Sequence, residues 1–325
     1  MNLPGATSPL ADQYAAVRSG VAAHVLQRDV ISVSGAEAEP YLQGQCSQDL
    51  AGLQPGDTTD ALLLSPQGKI DALVRVSRSD DSRFVIDTDP GSGPVVVARL
   101  ERFRLRMKVE IAPLDGWLCV AVRGPSAPDA LIGSPPLVLP VAWPGLAGVD
   151  LLGPAPPDLS AWVGHQAVPC GDEAWEAVRI EAGIPVGGRD AVEGSIPAEA
   201  GLVDRTVSFT KGCYTGQELV ARLDARGSKV ARRLCGVVAD PVDDDGAEGD
   251  LPPVGSVVLT ADGAHEVGRL TSVAWSPGLG ASVALAMVHR RVEPPEPVLL
   301  RAGQGTGTQT RAAEARPLPL FSGFD

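Results

Sequence analysis

The stretch Lys211-Gly212-Cys213-Tyr214-Thr215-Gly216-Gln217-Glu218 gathers the residue types best suited to thiol chemistry. The reactive form of cysteine is the thiolate, which helix N-termini and neighbouring cations favour. Thr215 and Glu218 match the S/T-x-x-E capping box, which predicts a helix over 217–227 with Thr215 as its N-cap and Gly227 as its stop. Cys213 then falls two residues before the cap, and Lys211 adds a positive charge. Lysine is rare in this chain: only Lys69, Lys108, Lys211 and Lys229 among 27 basic residues, so its place beside a cysteine stands out. Gly212 and Gly216 permit a tight turn or close approach of a ligand. A second reading stands beside this one. Cysteine is commonly a small buried hydrophobe, and glycines at a strand-to-helix turn are ordinary. The residues alone leave both open.

The other candidates are fewer. Cys46, Cys119, Cys170 and Cys235 are widely separated, without a CxxC pair, and read as structural. His24, His165, His265 and His289 are equally scattered, so no metal or iron–sulfur cage is legible. A net charge of −13 argues against broad nucleic-acid binding, which needs basic residues to neutralise phosphates. The first twenty residues lack the basic and apolar regions of a secretory signal, and no apolar run reaches the length of a membrane span. A cytoplasmic protein is expected, with no membrane and no direct nucleic-acid partner.

The elements that must position these residues follow from pattern. At 325 residues more than one domain is expected. Residues 61–64, 69–76 and 83–89 read as a strand meander through the turn Ser65-Pro66-Gln67-Gly68. A helix follows, with Ser92 as N-cap and Pro94 in its first turn. Residues 106–114 and 117–124 return to strand. Further helices are expected at 158–167 and 172–183, and a strand at 206–210, where Val207 and Phe209 alternate with polar residues. This mixture indicates α+β layers. The acidic, Pro/Gly-rich stretch 239–253 reads as a linker. Short strands beyond it predict a small β-barrel or sandwich from about residue 236, ending in a less regular tail.

Several blocks, taken together, resemble the YgfZ family of folate-binding proteins, relatives of the glycine-cleavage T-protein (an aminomethyltransferase). "KGCYTGQELVAR" resembles the family's signature. "PYLQGQCSQDL" with "LLLSPQGKIDALVRV" is similar to its N-terminal block, and "RIEAGIPVGGRD" with "SIPAEAGLVDRTVSF" to its central block. "VGRLTSVAWSPGLGASVALAMVHR" looks like the T-protein-type terminal barrel. The resemblance covers most of the chain, in order. It implies ferredoxin-like α+β subdomains around a central hole that binds tetrahydrofolate, interleaved over 1–235, and a C-terminal barrel over 236–325. It also implies support of iron–sulfur cluster assembly or repair in client enzymes, including a tRNA-modifying one, through the motif cysteine, here Cys213 with Lys211.

A pterin offers two parallel N–H donors that suit one carboxylate. The T-protein uses the glutamate of its EAG segment for this, and Glu181 matches it. Arg205 is the candidate for the anionic glutamyl tail, and Tyr214 and Gly212 are further candidate cofactor contacts. The T-protein's catalytic aspartate lies in a segment similar to 67–76, where Asp71 stands. The alternative function is therefore a folate-dependent aminomethyltransferase acting through Asp71, and a third is a folate sensor with an inert Cys213. Gln48 departs from the family pattern, in which asparagine precedes Asp49.

Overall fold

The computed structural model describes residues 9–192, 194–227, 229–240, 251–302 and 309–321. In chain order, the first elements are α1 (Leu10–Ser19), β1 (Ala22–Leu26), β2 (Asp29–Ser34), α2 (Ala38–Gln45), β3 (Thr58–Leu64), β4 (Ile70–Asp80), β5 (Arg83–Thr88) and α3 (Gly93–Phe103). There follow β6 (Glu110–Pro113), β7 (Trp117–Arg123), β8 (Leu137–Pro140), β9 (Gly148–Pro154), β10 (Val168–Pro169), α4 (Asp172–Glu181), α5 (Val203–Thr206) and α6 (Gln217–Asp224). The terminal unit comprises β11 (Arg232–Ala239), β12 (Val257–Thr260), β13 (Glu266–Ser276), β14 (Ala281–His289), β15 (Glu296–Ala302) and β16 (Gln309–Arg316).

Two five-stranded sheets interleave along the chain. One runs β3-β4-β5-β2-β6; the other runs β10-β1-β7-β9-β8, so β1 leaves the first half of the chain to join strands from the second. Alternation explains the first sheet's two faces. Ala61, Leu63, Ala72, Val74 and Val76 point toward α2 and α3 and pack with Leu42, Phe84 and Leu100. Each such fully buried large side chain contributes roughly 1.5–3 kcal/mol. Leu62, Leu64, Ile70 and Leu73 point the other way and pack with Leu202, Val207 and Tyr214. The second sheet places β1 and β7 between α4 and a separate cluster around Leu151 and Trp162.

The six strands β11–β16 close a barrel in the order β11-β14-β13-β12-β15-β16. Its core is made of Val, Leu and Ala, including Val258, Leu270, Ala286 and Val298. Helix α4 packs on β13: Asp190, just beyond it, accepts from the hydroxyls of Thr271 and Ser272 and pairs with Arg179 at 2.9 Å.

Three expectations need correction. Residues 158–167 form only a single 3₁₀ turn, Leu159–Ala161, capped by Asp158. The following backbone instead pairs with 130–132, where Ile132 N–H donates to Trp162 and Gly164 N–H to Ala130, so helix propagation loses its donors. Residues 206–210 are not a strand. Val203–Thr206 is a helical turn, and Ser208 N–H donates to the Ser47 carbonyl. Finally, the tail supplies β16, which pairs with both β11 and β15 and completes the barrel. The first barrel strand starts at Arg232. Most of the expected linker, 241–250, lies outside the described residues.

Candidate functional site

A cavity of about 320 Å³ lies where the two sheets meet α4 and α5. That volume falls in the range that small-molecule sites use, roughly 300–1,000 Å³. Its aromatic wall is Trp143 and Trp175. The Arg123 guanidinium lies over both rings, 4.8 and 5.1 Å from their centres, and His24 stacks on Trp175 at 4.7 Å. Arg123 is almost wholly buried, yet its Nε has no hydrogen-bond partner among the described residues. A buried guanidinium N–H without an acceptor is costly.

The floor is a ladder of charges joining the sheets. Arg28 and Arg75 both donate to Asp87 of β5, at 2.7 and 2.8 Å, and Arg28 also pairs with Asp89. Arg75 reaches across to Asp150 of β9, which pairs with Arg123 at 2.7 Å. Burial alone would raise the Asp150 carboxyl, but Arg123 and Arg75 together outweigh it and hold the group below its ordinary value. Arg75 is shifted well upward because Asp87 and Asp150 overcome the burial that would lower it. Three of these charges sit within apolar runs of a strand: Arg75 in "LVRV", Arg123 in "VAVR", Asp150 in "GVDLL". A charge at an inward strand position is the signal in the sequence for this site.

Arg205 does reach the cavity. It pairs with Asp60 of β3 at 2.6 Å through Nη2, with Nε on the same oxygen at 3.2 Å. The other candidates lie elsewhere. Glu181 is fully buried and absent from the lining. Its carboxylate accepts from Tyr14, at 2.9 and 3.1 Å, and from Arg18 and Ser276, so α1, α4 and the barrel meet on it. Burial, then the Glu181 charge, push the Tyr14 hydroxyl up to about 12, keeping it a donor. Asp71 falls at a β-bulge, where Ala72 pairs with Leu63 and Ile70 with Leu64, and it pairs with Arg99 of α3 at 3.4 Å. It is not among the lining residues.

The cysteine loop is ordered by a contact that the motif did not reveal. Lys211 Nζ donates to the carbonyls of Gln43, Cys46 and Gln48, at 2.7, 2.7 and 2.8 Å, closing the C-terminal end of α2. The charged groups acting on Lys211 are Cys46 and Asp49, against a downward shift set mainly by burial; Cys213 is not one of them. The capping box is also absent. Gly216 occupies the N-cap of α6 with φ 85°, and Glu218 pairs with Arg222 instead. A side chain at Gly216 would come within 2.6 Å of the Ser65 carbonyl, so that glycine is required by packing. Gly212 has open space around it and no left-handed backbone. Tyr214 is buried in the core, its hydroxyl pushed up to about 12 by burial.

Cys213 is exposed, whereas the other four cysteines are buried. Burial drives Cys46, Cys119 and Cys170 up to about 12 and Cys235 to about 11. Neither Cys213 nor Lys211 lines the cavity. Among the described residues no group of His, Cys, Asp or Glu is arranged to hold a metal ion, and no helix is long and apolar enough to cross a membrane.

Comparison with known proteins gives this arrangement a family. Residues 6–134 match the GCVT N-terminal domain, and residues 232–318 match the glycine cleavage T-protein C-terminal barrel domain. A tRNA-modifying protein YgfZ from Edwardsiella ictaluri is 29% identical over 61% of the chain and 65% of its own length. An uncharacterized protein from Haemophilus influenzae is 30% identical over 62% of the chain and 68% of its own length. The chain belongs to the YgfZ family, related to aminomethyltransferase. An aminomethyltransferase from Staphylococcus haemolyticus is 24% identical over 80% of the chain and 76% of its own length. The crystal structure of glycine cleavage system aminomethyltransferase T from Bartonella henselae superposes with a TM-score of 0.77, covering 96% of this chain and 89% of that one at 19% identity. The fold is therefore T-protein-like.

Proposed function

We propose that this protein binds tetrahydrofolate in the central cavity and supports assembly or repair of iron–sulfur clusters in client enzymes, with Cys213 as the working thiol. The observation that carries the thiol's role is the contrast among cysteines: four are buried and pushed up to about 11 or 12, while Cys213 stands exposed on a loop pinned by Lys211. A thiol buried for packing needs no such presentation.

The cavity residues fit a folate. The half-buried ring of Trp143, in the cavity wall, offers a stacking surface for a flat heteroaromatic ring. Arg205, at the cavity wall, offers charge to a carboxylate. When bound, tetrahydrofolate supplies one-carbon chemistry; the chain's own residues bind and orient it. The aminomethyl-transfer reading gains no support from Asp71, which faces Arg99 rather than the cavity.

In a host lacking its own copy of the gene, wild type restores the activity of folate-responsive iron–sulfur enzymes and C213A does not. Full restoration by a normally expressed C213A removes the thiol from the function.

A further inference from the structure

The exposed thiol does not stand alone on its loop. Phe209, four residues before Cys213, is 46% exposed, whereas every other aromatic side chain among the described residues is buried or half-buried. Neither group rides on a free tether. Ser208 N–H donates to the Ser47 carbonyl, Lys211 N–H to the Ser208 hydroxyl at 3.3 Å, and Thr215 N–H to the Gly44 carbonyl. Together with the Lys211 ammonium on the carbonyls of Gln43, Cys46 and Gln48, these bonds fix residues 209–213 against the end of α2. Four residues of chain span at most about 14 Å. Ring and thiol therefore fall within the footprint of one protein interface, about 800 Å² per partner.

The charges around the loop are unequal. Asp49 is exposed just after α2, and the Gln43 amide, at 2.7 Å, and the Ala51 N–H hold its carboxyl below the ordinary value. Lys211, the cation beside it, is turned inward onto its three carbonyls. Glu218 pairs with Arg222, and Arg205 with Asp60. That leaves the Asp49 carboxylate facing outward. We propose that Phe209 is the anchor by which a client protein docks beside Cys213: its ring enters an apolar pocket of the client, and Asp49 meets an arginine or lysine at the pocket's edge. The proposal rests on the thiol reading and names the surface that the client meets. A ring held on a pre-ordered loop loses little freedom on docking, so one side chain can carry a large share of the affinity. The carboxylate selects a basic client face and suppresses acidic ones.

The test compares wild type, F209S, F209L, D49K and C213A in a host lacking its own copy of the gene. The readout is the activity of that host's tRNA-modifying iron–sulfur enzyme, at low and at high expression of each variant. At low expression F209S restores about ten-fold less activity than wild type, the scale of one lost interface anchor. F209L restores most of it, and D49K falls several-fold. High expression recovers F209S and D49K by mass action and leaves C213A inactive, which separates weakened docking from lost chemistry. Purified F209S keeps the melting temperature, the tetrahydrofolate affinity and the Cys213 alkylation rate of wild type; where it melts lower, D49K decides the comparison. Full restoration by both variants at low expression, or a loss that high expression does not recover, overturns the docking. Restoration by C213A overturns the thiol reading, while a recoverable loss in F209S still upholds the docking. No restoration by wild type overturns the iron–sulfur reading and the docking with it.

Discussion

Lys211 Nζ sits 2.7 Å from the carbonyl oxygen of Cys46, a residue 165 positions earlier, and so fastens the cysteine loop to the end of helix Ala38–Gln45. The lysine of the motif is thereby a structural clamp on the loop that presents Cys213.

Replacing it by methionine leaves three carbonyls, at that helix end and in the loop just after it, without their charged donor. K211M is expected to lower stability by about 2–3 kcal/mol, the cost of stranding buried acceptors. Urea denaturation followed by circular dichroism measures this. A loss below about 0.5 kcal/mol, the level of an ordinary surface change, would show the clamp to be unimportant.

Selective labelling follows from the burial pattern. Under native conditions one equivalent of iodoacetamide enters, at Cys213, while Cys46, Cys119, Cys170 and Cys235 label only in denaturant. Peptide mass mapping reads the sites. Native labelling of a second cysteine at a comparable rate contradicts the assignment.

Glu181 offers a sharper choice. The resemblance to the T-protein makes it the pterin carboxylate; its contacts with Tyr14, Arg18 and Ser276 make it the joint between α1, α4 and the barrel. E181Q should cost about 3–5 kcal/mol by leaving the Arg18 charge buried and unpaired. The remaining folded protein should titrate tetrahydrofolate within about two-fold of wild type, since no cavity contact is lost. Unchanged stability with abolished binding would restore the pterin role.

The charge ladder sets an acid limit. Asp150 is held below its ordinary value of 3.8, so its contribution is complete above that pH and disappears as the pH falls through the lower folded value. D150N is expected to destabilise the protein by about 3–5 kcal/mol at pH 7, and the gap to wild type should close in strong acid. Melting temperatures for both proteins from pH 7 down to pH 2 test this. A gap that is constant with pH contradicts it.

The sequence was legible where one pattern served one purpose. The meander 58–88 and the barrel strands alternate cleanly, and the family blocks lie in order along the chain. It misled where a pattern had two solutions. Thr215 and Glu218 spell a capping box, but a left-handed Gly216 packed against Ser65 claims the cap position. Val207 and Phe209 alternate as a strand does, yet the chain before them makes a helical turn and Ser208 donates to the Ser47 carbonyl. Asp71 lies near the T-protein's aspartate in sequence, but a bulge of one residue turns it to Arg99. The cavity itself was hardest to see. Arg75, Arg123, Asp150, Trp143 and Trp175 come from five separate segments and share no motif.

The central claim is that folate binding belongs to the cavity and the thiol acts apart from it. Titration of tetrahydrofolate into wild type, W143A and C213A tests this most directly. One equivalent should bind wild type and C213A with equal affinity, and W143A should bind at least about ten-fold more weakly, the scale of one lost ring-stacking contact. No binding to wild type, undiminished binding to W143A, or binding lost in C213A would contradict the account.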